Sequence, residues 1–452
     1  MTWWDRRAPL IALAFVFVGM ITFPSHAETL RGVVNRTLSE NPEIAALRAN
    51  RRAIDEELEA AKGLGLPKLD VEGKAGYIWR EQTSGGGLSA FEDDTHRYSL
   101  GGTLSVPVYD GFKTRNEVAR QTARVQSARF RVQDTASSLA LEAIRAYMEV
   151  MRAQKIVSIA HQNIIAHRAI MQRVVESRRA GRSTDVDLKQ ARSRIASAKA
   201  SHVEARAKLA NAKSLYFAVI GSSPKNLKPV SPPFNRLPGS VKEAILKARE
   251  NAPALIALSF DHEAAEAAIG TAESEFHPKV SVEVSGNTVR NANDAFDDQD
   301  DFSAMLVFRK NLYNGGIDRA RIEEARHRSE QVYHTRRNAR RLLEKEIRLS
   351  WVAIRSSRER TTALAQQADL SRGLTSLYAS QFRIGNRSLL DLLDIRNEVF
   401  VSETALATEQ FIAGFNVYRI MAAMGTLVEE MEGALPEEGV TPPAEWRAII
   451  VR

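Results

Sequence analysis

The chain has no cysteine. That absence excludes a disulfide framework, a thiolate metal site and a lipid carried on cysteine. Aromatic residues are only 7%, and 25 glycines and 15 prolines are few for 452 residues. Long stretches without either, rich in Ala, Arg, Glu, Gln and Leu, favour extended helices. No segment holds 18 consecutive apolar residues, and 26% of residues are charged, so the bulk of the chain is not a polytopic helical membrane protein. The nine histidines are scattered and form no H-E-x-x-H pair. Gly85-Gly86-Gly87 lacks the Lys and Ser/Thr of a phosphate loop and reads as an external loop. With no nucleophile–base arrangement either, we expect no catalysis, no cofactor and no metal centre. The net charge of +8 suggests nucleic acid. The basic residues, however, alternate with glutamates along helices, the pattern of a solvated face, and nucleic acid is not an expected partner.

The N-terminus reads as an export signal. Arg6 and Arg7 precede an apolar run from Leu10 to Ile21, too short to span a bilayer comfortably. Pro24 and the small-x-small site Ser25-His26-Ala27 follow. Residues 1–27 are thus the expected signal peptide, and Glu28 the first residue of the exported chain. The competing reading is an uncleaved anchor. Export itself argues against nucleic acid.

The remainder repeats itself. Pro42 matches Pro253 and Pro67 matches Pro278, an offset of 211. From "VYDGFKTR" at Val108 against "LYNGGIDR" at Leu312 the offset is 204. It persists through Tyr147/Trp351, Gly181/Gly385, Asp187/Asp391 and Gly221/Gly425. The missing seven residues fall between Pro67 and Val108, where a loop is expected. The reading is a first repeat over 28–220, a proline-rich linker over 221–240, a second repeat over 241–425 and a tail over 426–452.

Each repeat changes period in the same order. A short helix starts at Asn41-Pro42 and stops at Gly63. "LDVEGKAGYIW" and "RYSLGGTLSVPV" alternate with period two, as do "KVSVEVSGNT" and, more weakly, "FSAMLVF". These predict two hairpins with strands of about ten residues, joined by a polar loop over 80–96 and an acidic loop over 291–301. The five aspartates from Asp294 to Asp301 lack the spacing of a calcium loop and read as a solvated acidic segment. Thr114–Ala180 and Ile317–Ile384 then predict helices of roughly 100 Å. Gly181 and Gly385 stop them. Helices from Ser183 or Thr184 to about Val219, and from Leu389 to about Met424, return only half way. The opening short helices fill the remaining length, and the linker and tail gather at a belt where the short helices meet.

Four alternating strands, with Tyr77, Trp79, Tyr98 and Phe302 near their loop ends, suit an outer-membrane barrel with an aromatic girdle. Four strands cannot close in lipid. Two, three or four copies would give eight, twelve or sixteen. The competing structural reading is a soluble periplasmic coiled-coil scaffold. The junction motifs "SVPVYDGF" and "NLYNGGIDRAR", the paired turns "RRAGRSTDVDLKQARSRI" and "RIGNRSLLDLLDIRNEVF", and the 204-residue repeat are together specific. On them the chain resembles the TolC-family outer-membrane factors, from residue 28 to about 430. Within that family it is most similar to type I secretion components that export large surface adhesins.

The resemblance implies a mainly α fold with membrane β: a homotrimer with a 12-stranded outer-membrane β-barrel, four strands per chain, continued by a periplasmic α-helical barrel. It implies a passive exit duct that docks on a periplasmic adaptor and an inner-membrane ABC transporter. The alternative is the duct of a small-molecule efflux pump. It implies a tip closed at rest by an arginine–aspartate network. By position, Asp187 and Arg387 match the latch, and Asp391 and Asp394 the constriction rings. Phe382 stands where some members have tyrosine and lacks its hydroxyl. The tip turns Gly181, Arg182, Ser183, Gly385, Asn386 and Ser388 are the expected adaptor-docking elements. Tyr109, Gly111, Tyr313 and Gly315 mark the strand-to-helix junctions. On physical grounds alone, a ring of carboxylates in a narrow lumen favours cations. The competing role for Asp391 and Asp394 is to solvate a helix start, where negative charge is favoured.

Overall fold

The computed structural model describes residues 28–83, 90–291 and 298–440. The expected signal peptide, the Gly85–Gly87 loop, Asp294 and Asp297 of the acidic segment, and the tail beyond 440 lie outside the described residues. The order is α1 (Leu30–Glu40), α2 (Pro42–Gly63), β1 (Lys68–Thr83), β2 (Ala90–Tyr109), α3 (Lys113–Arg179) and α4 (Asp185–Ile220), then α5 (Val241–Asn251), α6 (Pro253–Glu273), β3 (Lys279–Asn291), β4 (Gln299–Arg309), α7 (Ile317–Arg383) and α8 (Leu389–Ala423), and a short α9 (Leu427–Glu430). Helices α1 and α5 were not anticipated. Each is a three-turn helix capped by a hydroxyl, Thr29 accepting from the Gly32 N–H and Ser240 from the Glu243 N–H. Pro42 and Pro253 hold the residue before them extended and so break these helices from the next ones.

All four strands form one antiparallel sheet in the order β1-β2-β3-β4, so the two repeats join through the β2–β3 ladder. The strands are longer than expected, at 16, 20, 13 and 11 residues. The predicted polar loop over 80–96 is mostly ladder, which continues to Thr83↔Ala90. Backbone pairing does not require apolar side chains, so the polar composition concealed these strands. One face of the sheet carries Leu69, Leu104, Leu306 and Phe308, all exposed. The other presents Asp70, Lys74, Thr103, Ser285 and Asn287 around a polar concavity. The outer edges of β1 and β4 have no strand partner among the described residues.

The 67-residue helices α3 and α7 span roughly 100 Å each. Toward the sheet α3 packs on α2 and α6; toward the tip it packs on α4 and α8. Small residues such as Ala136, Ala140 and Ala143 are fully buried and let the axes approach closely. The two repeats are not equally covered. Helix α3 buries 25 residues and α7 only nine, while Leu349, Val352, Leu370 and Leu377 of α7 stay exposed. With about a third of its equivalent's buried positions, α7 presents a face that no element among the described residues covers.

At the belt, Glu28 ties the start of the fold to the linker. Its carboxylate accepts from Arg36 at 2.7 Å, from the Tyr216 hydroxyl at 3.0 Å and from the Lys225 N–H at 3.2 Å. Its carbonyl accepts from the Lys228 N–H at 3.0 Å and lies 2.9 Å from the Tyr147 hydroxyl. Burial pushes the Tyr147 phenol up to about 12, so it remains a donor. Burial alone would raise the Glu28 carboxyl, but the Arg36, Lys225 and Tyr216 hydrogen bonds outweigh it and hold the group below its ordinary value. A depressed carboxylate contributes stability above its unfolded value of 4.5 and loses it as pH falls through the folded value. Glu28→Gln is therefore expected to cost about 2 kcal/mol near neutral pH. Thermal melting of both proteins should show the difference shrinking as pH drops below 4.5.

Candidate functional site

The two tip turns are built alike. After α3, Gly181 takes φ 74°, and after α7, Gly385 takes φ 83°, both in the left-handed region that glycine enters without strain. The Arg182 N–H bonds back to the Ser177 carbonyl at 2.9 Å, and the Asn386 N–H to Gln381 at 3.0 Å, closing two Schellman turns. The returning helices then need caps. Thr184, not Ser183, caps α4, in a reciprocal box with Asp187: the carboxylate accepts from the Thr184 N–H at 2.7 Å, and the Thr184 hydroxyl from the Asp187 N–H at 3.3 Å. Ser388 caps α8 by accepting the Asp391 N–H at 3.1 Å. Arg182 crosses between the turns and donates to the Arg383 carbonyl at 3.3 Å.

The leucines of "SLLDLLDI" do what their spacing suggests. Leu389, Leu392, Leu393 and Ile395 are buried with Ile170 and Val174 of α3 and Ala191 of α4. Phe382 and Tyr378 of α7 pack on the edge of this cluster, so Phe382 acts there through packing. The carboxylates lie off it, Asp391 half-buried and Asp394 exposed.

Within one chain the structure does not bring Asp187 and Arg387 together. The Asp187 carboxylate is engaged in the α4 cap. Arg387 stacks on the Tyr378 ring, 3.9 Å from its centroid, and stands 3.8 Å from Asp391. Two closer ion pairs form at the tip: Arg178 at the end of α3 with Asp185 at 2.9 Å, and one that joins the repeats. Arg194 of α4 donates to Asp394 of α8 at 2.9 Å, linking the two repeats. Asp394 aligns with Gln190 in the first repeat, one helical turn before Arg194. Because α4 and α8 both return from the tip, opposite charges one turn apart on them were the available signal. One step further in, His167 of α3 is buried and its Nδ1 has no partner among the described residues. Burial, then Arg396 and Arg194, push its pKa down to about 4, so it is neutral at pH 7.

At the other end of the helices the junctions differ in their surroundings. A Cβ on Gly111, at φ 71°, would lie 2.6 Å from the His277 Cβ and 2.7 Å from the Ser274 carbonyl. Tyr109 approaches His277 at 3.3 Å, and Phe112 packs edge-on against both rings. Its counterpart Gly315 has nothing within 4 Å, and Tyr313 is 84% exposed. The second junction thus lacks the neighbour that the first one has. Of the acidic segment, Asp300 is taken by Arg290 at 3.0 Å and by Thr288 at 2.6 Å.

No helix among the described residues is long and apolar enough to cross a membrane. Separately, the exposed Leu69, Leu306 and Phe308 give the sheet an apolar face suited to lipid. Comparison with known proteins agrees with that reading. The chain is 23% identical over 451 residues to the outer membrane efflux protein BepC of Brucella suis, covering 97% of this chain and 95% of that one. It is 22% identical to the outer membrane protein TolC of Vibrio cholerae, covering 91% and 94%. The crystal structure of the outer membrane protein VceC, also from Vibrio cholerae, superposes with a TM-score of 0.76 at 15% identity, over 90% of this chain and 97% of that one. The model of the outer membrane efflux protein family matches residues 33–221 and 244–425. The chain belongs to the outer membrane efflux protein family, and its two repeats, four-stranded sheet and paired long helices are those of a TolC-type outer-membrane channel.

Proposed function

We propose that three copies close their sheets into one 12-stranded barrel and their helices into one tube, a passive exit duct without catalysis of its own. The observation that carries this reading is the inequality of the repeats. Elements α3 and Gly111 are covered from both sides, whereas α7 and Gly315 wait for a neighbour. A ring supplies it by setting α7 and β4 of one copy against α2, α4 and β1 of the next. Energy then comes from partners, a periplasmic adaptor and an inner-membrane ABC exporter of a type I secretion system. The motifs "NLYNGGIDRAR" and "RIGNRSLLDLLDIRNEVF" support that assignment. The efflux reading is favoured by the similarity to the Brucella suis outer membrane efflux protein. A deletion strain separates the two. Loss of a large surface protein from the culture, restored by the wild-type gene, is expected. Intact secretion with new sensitivity to small toxic compounds would favour efflux.

At the gate, we assign the ring charge to Asp391, which has only the more distant Arg387 at 3.8 Å, and give Asp394 to a clasp with Arg194. Both partners of the clasp are partly exposed, so each bond contributes about 0.2–1 kcal/mol, repeated in each copy. Asp391→Ala is expected to raise single-channel conductance and weaken cation selectivity in planar bilayers. Arg194→Gln, which frees Asp394, should instead strengthen cation selectivity while also raising conductance. Unchanged selectivity in both variants would remove these carboxylates from the lumen. Thr184→Ala and Asp187→Ala should each loosen the α4 start by about 1 kcal/mol. Amide exchange over 185–190 should accelerate equally in the two, as expected for two halves of one cap; a larger effect of Asp187→Ala alone would reveal a latch across copies.

A further inference from the structure

We propose that the belt contains a binding site for a small amphipathic organic anion, a ring system bearing a carboxylate or sulfonate. The site is a cavity of about 610 Å³ between α3, α7, α8 and the linker segment 230–234. That is the size of ordinary small-molecule pockets. Its apolar side is made by Met148, Met151, Pro232 and Phe411, and its polar side by Arg152, Lys155 and Arg358, with no carboxylate in the lining. Arg152 is engaged by Glu149, its Nε 2.8 Å from the carboxylate. Lys155 and Arg358 have no acidic partner among the described residues. Arg358 is held in place by stacking on Phe234, 4.6 Å from the ring centroid. The Thr361 hydroxyl is buried in the same wall without a hydrogen-bond partner.

Lys155 and Arg358 are exposed cations beside an apolar wall, so an anion with an apolar body would gain their attraction while covering that wall. The pocket is also preformed. Pro232 seats directly on Gly414, where a Cβ would lie 2.7 Å from the proline Cγ and 3.0 Å from the Met148 Cε, so the linker wall is fixed against α8. Every lining residue belongs to one chain, and the site lies away from both the tip turns and the strands. Because Arg358 and Thr361 lie on α7, the inference rests on a duct in which the neighbouring copy leaves this part of α7 uncovered. A bound anion would join the linker to α3, α7 and α8 and stiffen the belt.

The test is isothermal titration calorimetry on the full protein in lipid nanodiscs. The probe is 1-naphthalenesulfonate, with uncharged 1-naphthalenemethanol as control. Saturable binding of one sulfonate per chain is expected, at least tenfold tighter than the alcohol. Arg358→Gln and Lys155→Gln should each weaken it about fivefold or more, and Arg358→Lys should retain part of it. Lys199→Gln, which removes an exposed charge of α4 outside the lining, is the control and should keep the preference for sulfonate over alcohol. Absence of saturable binding, equal binding of the alcohol, or indifference to both charge removals would overturn the proposal. So would binding of the acidic peptide acetyl-Trp-Glu-Glu-amide in place of the sulfonate, which would point to a protein partner.

Discussion

The constraint on which the rest depends is backbone hydrogen bonding in lipid. A strand edge exposed to hydrocarbon leaves N–H and C=O groups without partners, at several kcal/mol each. Among the described residues this sheet has two such edges, on β1 and β4, and an apolar outer face suited to lipid. Pairing β4 of one copy with β1 of another removes both edges at once. The same closure supplies what the helical part lacks, a flank for α7 and a packing partner for Gly315 and Tyr313. Membrane insertion, ring assembly and the inequality of the repeats then have one cause.

Below the sheet the problem becomes one of length. Helices α4 and α8, at 36 and 35 residues, cover about half of α3 and α7. Helices α2 and α6 cover the rest, and the join is a weak point in the wall. The belt reinforces it. Glu28, Tyr147 and Tyr216 tie the first residues to the linker, and Gly414 lets Pro232 lie flush on α8. The tip is held differently, by a leucine cluster and a few partly exposed polar bonds. That contrast suits a tube that is rigid at its middle and able to open at its end.

The long helices were legible almost to the residue, because α3 has 67 positions without Gly or Pro, α7 has a single interior Gly373 in the same length, and Gly181 and Gly385 stop them. The repeat and the face pattern of the strands were legible from period and offset. Helices α1 and α5 were not, since three turns give a weak periodic signal beside a proline break. Strand lengths were underestimated because β1 and β2 continue through polar residues. At the tip, position identified which residues gather but not which ones pair. Asp187 has a nearer partner in Thr184, and Asp394 a reachable one in Arg194, and neither choice is visible until α4 and α8 are placed side by side. The belt pocket was invisible for the same reason, being assembled from four segments distant in the chain.

Closure of the open sheet by other copies is tested most directly by native mass spectrometry of the protein released from outer membranes in mild detergent. The expected species is a complex of three chains. A stable, folded single chain would contradict the account, because it would show that the edges of β1 and β4 do without a partner.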